Sequence, residues 1–157
     1  EKGVMAGGEE SGGFGFPHHI PERDGLLSNL LLLELMATTG KTLGELVADL
    51  QQEVGPTSYR RNDYQLSKDQ IAACRATFEQ LDIREIGVQK VVKHTTIDGH
   101  HFLFDDESWI LFRASGTEPL IRTYAEAPTM EQVNTMLDEG QKALDISSLG
   151  IQKIQKN

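Results

Sequence analysis

Basic residues are scarce in this sequence. Its 15 Lys and Arg face 24 Asp and Glu, a net charge of −9, which disfavours non-specific binding to nucleic acid or to an anionic membrane surface. A phosphorylated ligand is repelled overall as well, so any phosphate site has to be locally basic. Cysteine is almost absent: the lone Cys74 rules out an intrachain disulfide. With no twenty-residue apolar run and no secretion signal, the expected setting is a reducing, soluble compartment, the cytoplasm by default. The 157 residues suffice for one sizeable core, or for one small domain with a piece of another. Position 1 is Glu and a glycine-rich loop follows within a few residues, so the sequence reads as part of a longer polypeptide.

What is present is organised around Arg113-Ala114-Ser115-Gly116-Thr117-Glu118-Pro119, a run between two apolar segments of strand character. Gly116 permits positive φ and close backbone approach, Ser115 and Thr117 offer hydroxyls beside free amides, and Arg113 brings a planar fork of donors suited to phosphate. On composition alone, a polar hairpin turn is the simpler reading. A second stretch, Gly7 to Phe16, reads either as a flexible linker or as a built loop. Linkers seldom carry two adjacent carboxylates and two aromatic rings among their glycines.

The order of residues carries more than their composition. Arg113 to Pro119 resembles the phosphate-binding loop of the α-D-phosphohexomutases, the phosphoglucomutase and phosphomannomutase family. Gly8-Glu9-Glu10-Ser11-Gly12-Gly13 resembles the sugar-binding loop of that family's third domain, in the form closest to its phosphoglucomutase-like branch. The resemblance implies that Arg113, Ser115, Gly116 and Thr117 hold the non-reacting phosphate of a hexose phosphate, with Arg122 either extending the positive potential or pairing with Glu118 or Glu126. It implies that Glu9 and Ser11 hold sugar hydroxyls, with glucose preferred over mannose. It also implies a phosphoserine donor and a Mg2+ loop of Asp-Gly-Asp type in upstream domains, neither of which has a counterpart here. The pairs Asp24-Gly25 and Asp98-Gly99 read as a helix cap and a hairpin, without the clustered carboxylates that a divalent ion needs.

Between the two loops, Asp24 caps a helix whose run Leu26 to Met36 is apolar around nearly its whole circumference, so cover is expected on most sides. Its burial is expected through folding onto the rest of the chain or through self-association. His18 and His19 are adjacent and lack a third ligand, which favours solvated or loop-packing histidines over metal. Thr42 with Glu45 forms a capping box for a second helix, ended by Gly55-Pro56. The expected domains are 1–55, a mainly helical remnant of a sugar-binding α/β domain, and 56–157, a phosphate-binding domain.

In the second, a strand from Ser58 to Tyr64 precedes a helix boxed by Ser67 and Gln70, with Ile71, Cys74, Phe78 and Leu81 on one face. Cys74 is then a small core residue rather than a nucleophile. Strands follow at Val88 to Ile97, from Phe102, at Trp109 to Phe112 and at Leu120 to Glu126, with Asp98-Gly99 as a hairpin signal. Thr129 with Gln132 boxes a last helix carrying Met130, Val133, Met136, Leu137 and Leu144, and residues from about Ser147 read as a loosely held tail. This order describes an α+β layer, two helices on one face of an antiparallel sheet. The resemblance implies the TATA-box-binding-protein-like fold of the family's C-terminal domain.

The leading expectation is the C-terminal part of a phosphoglucomutase-type enzyme interconverting hexose 1-phosphate and 6-phosphate through a bisphosphorylated sugar. It positions the sugar but does not turn over by itself, and its partners are the hexose phosphate and the missing N-terminal domains. The alternatives are a free-standing phosphosugar-binding or regulatory module, and an assembly domain in which Arg113 to Pro119 is only a turn.

Overall fold

The computed structural model describes residues 3–9, 12–20, 22–115 and 118–154. They fall into two compact units, Glu1–Val54 and Gly55–Asn157.

In the first unit, β1 (Gly7–Gly8) pairs antiparallel with β2 (Phe14–Gly15), with Gly8 opposite Phe14. Helix α1 (Gly25–Thr39) starts where the Asp24 carboxylate accepts from the amides of Leu26 and Leu27 at 2.9 and 3.0 Å. It stops at Gly40, whose left-handed φ of 68° lets its amide reach the Met36 carbonyl. Helix α2 (Leu43–Val54) opens on a reciprocal box: Glu45 N donates to Thr42 Oγ1 at 3.3 Å, and Thr42 N donates to Glu45 Oε2 at 2.8 Å. Neither helix has a buried residue. The cover expected over α1 is not found among the described residues: Leu27 is half-buried and its other leucines stand exposed, Leu26 at 81%.

Among the described residues, the second unit is a seven-stranded antiparallel sheet with two helices. Its strands are β3 (Ser58–Gln65), β4 (Glu85–Ile86), β5 (Gln89–Thr95), β6 (His100–Phe104), β7 (Trp109–Ala114), β8 (Leu120–Ala127) and β9 (Gln152–Lys153). They lie in the order β4-β5-β6-β7-β8-β3-β9. Helix α3 (Lys68–Glu79) opens on the capping box of Ser67 and Gln70, and α4 (Met130–Ala143) on Thr129, which accepts from Gln132 N. The Gln132 side chain does not close a box. It donates to Asp106 Oδ2 at 2.6 Å and ties the helix start to the β6–β7 turn.

Alternation along the strands sorts the sheet into two faces. One carries Tyr64, Phe102, Phe104, Ile110, Phe112, Ile121 and Ala125 into a core closed by Cys74 of α3 and by Val133, Met136 and Leu137 of α4. Met130, expected on that apolar face, is 40% exposed at the helix start. Gly140 lets α4 lie close, since a Cβ there would meet Ile110 Cδ1 at 2.8 Å and Phe112 Cζ at 2.9 Å. The other face carries Arg61 and Asp63 on β3, Arg122 and Tyr124 on β8, and Leu111 and Arg113 on β7.

The expected loose tail is corrected. Ile146 and Ile151 are buried, β9 pairs with β3, and Ile154 N donates to Asp63 O at 2.7 Å. Two isoleucines spaced across a turn were enough apolar surface to hold the segment. Strand β5 carries a register shift between Val91 and Lys93 where it pairs with β6, and the sheet edge beyond it is the two-residue β4.

Candidate functional site

The loop from Arg113 to Pro119 joins β7 to β8, so its ends are fixed by a strand ladder. Within that ladder Arg113 stands directly opposite Arg122. Directly opposed residues bring their Cβ atoms to about 5 Å, and two like charges at that distance destabilise the pair unless something offsets them. Each arginine has its own carboxylate. Arg113 Nε lies 3.0 Å from Asp98 Oδ2, and Arg122 Nη2 lies 3.3 Å from Glu118 Oε2. On β3, Asp63 stands opposite Arg122 and is gripped by Arg61 Nε at 2.9 Å. The row therefore runs Arg113, Arg122, Asp63 across three strands, with two cations nearest the loop.

Asp98 is the first cause of the raised Arg113 pKa, and a hydrogen bond with the Tyr124 hydroxyl adds to it. Arg122 Nε is buried and has no hydrogen-bond partner among the described residues. Asp98 reaches Arg113 because the β5–β6 turn lies hard against β7. Gly99 has φ 102°, and a Cβ there would sit 2.2 Å from the Phe112 carbonyl oxygen.

The loop itself is partly tied. Ser115 N donates to Leu120 O at 2.9 Å, so that amide is committed rather than free. The Ser115 hydroxyl accepts from Glu118 N at 3.2 Å and keeps its own proton to donate. The Pro119 carbonyl accepts from Leu66 N at 2.8 Å. Gly116 and Thr117 lie outside the described residues, as does Ser11 of the first loop.

On the helix-covered side, a cavity of about 540 Å³ separates the loop from α3, lined by Leu66, Ile71, Cys74, Phe78, Ser115 and Ile121 among others. Its walls are mainly apolar and its charged lining residues, Glu79 and Glu118, are anionic, so it does not suit phosphate. The two arginines serve the opposite face.

In the first unit, Glu9 is held by Arg23, Nη1 to Oε2 at 2.6 Å, and the Glu9 amide donates to Gly13 O at 2.9 Å. Gly13 packs on the Arg23 stem, where a Cβ would meet Cδ at 2.7 Å. Arg23, whose pKa is raised by Glu22 first and Glu9 next, escaped the sequence reading. The only signal for it was a lone cation just ahead of the helix cap. Asp98 was legible only as a turn residue, and the contact of Tyr124 with Arg113 had no local signal. His19 packs as a loop histidine, Nε2 to Asp24 Oδ2 at 2.9 Å.

Among the described residues no three His, Cys, Asp or Glu side chains cluster as metal ligands, so the Mg2+ of the family resemblance finds no fitting donor set there. No helix of the described residues is long and apolar enough to cross a membrane.

Comparison with known proteins bears on both units. The family model "Phosphoglucomutase/phosphomannomutase, alpha/beta/alpha domain III" matches residues 1–54, and "Phosphoglucomutase/phosphomannomutase, C-terminal domain" matches residues 66–142. The chain belongs to the phosphoglucomutase/phosphomannomutase family. A phosphoglucomutase/phosphomannomutase of Thermococcus kodakarensis is 35% identical over 145 residues, covering 92% of this chain and 29% of that protein. A phosphoglucosamine/phosphogalactosamine mutase of Sulfurisphaera tokodaii is 34% identical, with 92% and 30% covered, and a phosphoglucosamine mutase of Lactococcus lactis subsp. cremoris 37% identical, with 84% and 26%. The chain thus spans less than a third of the length of these phosphohexomutases. A crystal structure of a family protein from Burkholderia thailandensis shares the fold, with a TM-score of 0.62 at 22% identity over 96% of this chain and 30% of that one. The α+β layer read from the sequence is therefore the fold of this family.

Proposed function

We propose that this chain supplies the distal half of a phosphohexomutase substrate site. Gly55–Asn157 receives the non-reacting phosphate of a hexose phosphate at Arg113, Ser115, Gly116 and Thr117, with Arg122 beside them. The unit Glu1–Val54 contributes Glu9 and Ser11 to sugar hydroxyls. The observation that carries this reading is the cross-strand pair Arg113 and Arg122 at the base of the loop. Asp98 and Glu118 offset this like-charge pair, and a phosphate that takes their place can accept from both forks at once. The nucleophile and the metal loop belong, on this reading, to domains outside the chain, and the sugar is glucose.

A second reading of the sugar has its own support. Two of the relatives above are mutases of amino-sugar phosphates, which puts glucosamine phosphate beside glucose phosphate as a substrate.

The test has two parts. Inorganic phosphate titrated into the chain by calorimetry is expected to bind, and Arg113→Ala to weaken it by about tenfold or more, the size of charge-assisted hydrogen bonds lost. The protein with its upstream domains is then assayed on the 1-phosphates of glucose, mannose and glucosamine. Turnover of glucose 1-phosphate by the 157-residue chain alone would overturn the assignment of the nucleophile to other domains.

A further inference from the structure

Asp98 stands outside the loop, in the turn between β5 and β6, yet it touches the loop's leading cation. Its carboxylate lies 3.0 Å from Arg113 Nε; the Asp98 side chain is 72% exposed and the Arg113 side chain 37%. The contact is built into the fold. Gly99 at φ 102° leaves no room for a Cβ against the Phe112 carbonyl, so the turn is seated on the backbone immediately before Arg113. A carboxylate presents two oxygens to a guanidinium much as a phosphate does, and Asp98 occupies a donor that a phosphate would use.

We propose that Asp98 is a specificity-determining residue of the anion site, an internal competitor that a ligand must displace from Arg113. The proposal rests on the reading of Arg113 as a phosphate ligand and adds to it. A weakly accepting anion gains little by exchanging with an aspartate already in place. A phosphate dianion, with more charge and three acceptor oxygens, outcompetes it. Asp98 thereby raises the threshold for occupancy and sets a preference for doubly charged ligands, in a chain whose net charge is already −9. The groups around Arg113 divide by role: Tyr124 steadies the guanidinium through its hydroxyl, Arg122 adds positive charge from the next strand while Glu118 partly offsets it, and Asp98 is the carboxylate that opposes binding at Arg113 itself.

The experiment titrates inorganic phosphate into the chain at fixed ionic strength, comparing the wild type with Arg113→Ala, Asp98→Asn and Asp82→Asn. Asp82 is the control, an exposed carboxylate paired with Arg84 at 3.1 Å and outside the loop. Asp98→Asn is expected to bind phosphate about two- to fivefold more tightly, the range an exposed ion pair supports, while Asp82→Asn is unchanged. Affinity that stays level or falls in Asp98→Asn, while Arg113→Ala still loses binding, would show that Asp98 orients Arg113; this inference then fails and the anion-site reading stands. An equal gain in both Asp→Asn variants would reduce Asp98 to general charge and also overturns it. Absence of phosphate binding in the wild type rejects the anion-site reading, and this inference with it.

Discussion

Arg113 and Arg122 show how neighbours decide what a residue does. Read as a string, the loop displayed one arginine with small and hydroxyl residues, and Arg122 had no determined role. The ladder sets the second arginine opposite the first and gives each an acid, Asp98 or Glu118. Strand alternation placed Arg122 and Tyr124 on one face of β8 from sequence alone. The partners on other strands depend on register, which alternation does not supply. Cys74 was legible for a different reason, since its spacing with Ile71 and Phe78 put it on the buried face of a helix. It is 1% exposed, and burial pushes its thiol pKa up. We therefore expect iodoacetamide to alkylate Cys74 at least about tenfold more slowly in the native chain than in urea, because the thiolate is both scarce and covered. Equal rates, followed by mass spectrometry, would mean that the cavity behind the loop admits the reagent to the sulfur.

Elements whose signals are local were read well. The caps at Asp24, Thr42 and Ser67 and the turn at Asp98-Gly99 each need only four adjacent residues, and all of them form. Two elements of the second unit were missed because their stabilisation is tertiary. The strand β9 is held by Ile151 and by pairing to β3, and β4 by two residue pairs with β5. The Asp98-Gly99 turn carries the sharpest consequence at this scale. Gly99→Ala requires a side chain at positive φ and within 2.2 Å of a backbone oxygen, a clash that no rotamer relieves. The unit should lose at least about 2 kcal/mol, from backbone strain together with overpacking. A urea melt followed at Trp109 measures it, and an unchanged midpoint would mean the turn is not seated on β7.

At the scale of the whole molecule, pH acts on the second unit through its histidines. His100 is lowered by burial and then by His94, whose Nε2 is 3.1 Å from His100 Nδ1; His101 is lowered by burial and then by Lys93. A histidine whose folded pKa lies below its unfolded one takes up its proton more readily when unfolded. The stability it contributes is therefore complete above the ordinary value of 6.5 and is lost as pH falls through the lowered folded value. Urea midpoints read from Trp109, the chain's single tryptophan, are expected to decline from pH 7.5 to pH 5.5. The slope should flatten in His100→Gln. An equal slope in that variant would assign the loss to other groups.

The position of β3 in the sheet has a consequence for the order of assembly. Strands β5 to β8 follow one another as adjacent hairpins, so the turn that carries Arg113 and the ladder that sets it against Arg122 close over short stretches of chain. β3 comes first in the unit but pairs with β8, Gln65 with Leu120 and Ser58 with Ala127, across the whole meander and α3. Loop closure makes such a pairing entropically dearer and slower than its neighbours. The loop from Arg113 to Pro119 thus joins strands in the part of the sheet that can nucleate locally. Arg61 and Asp63, the flank of the same charged row, join only once the distant ends of the chain have met.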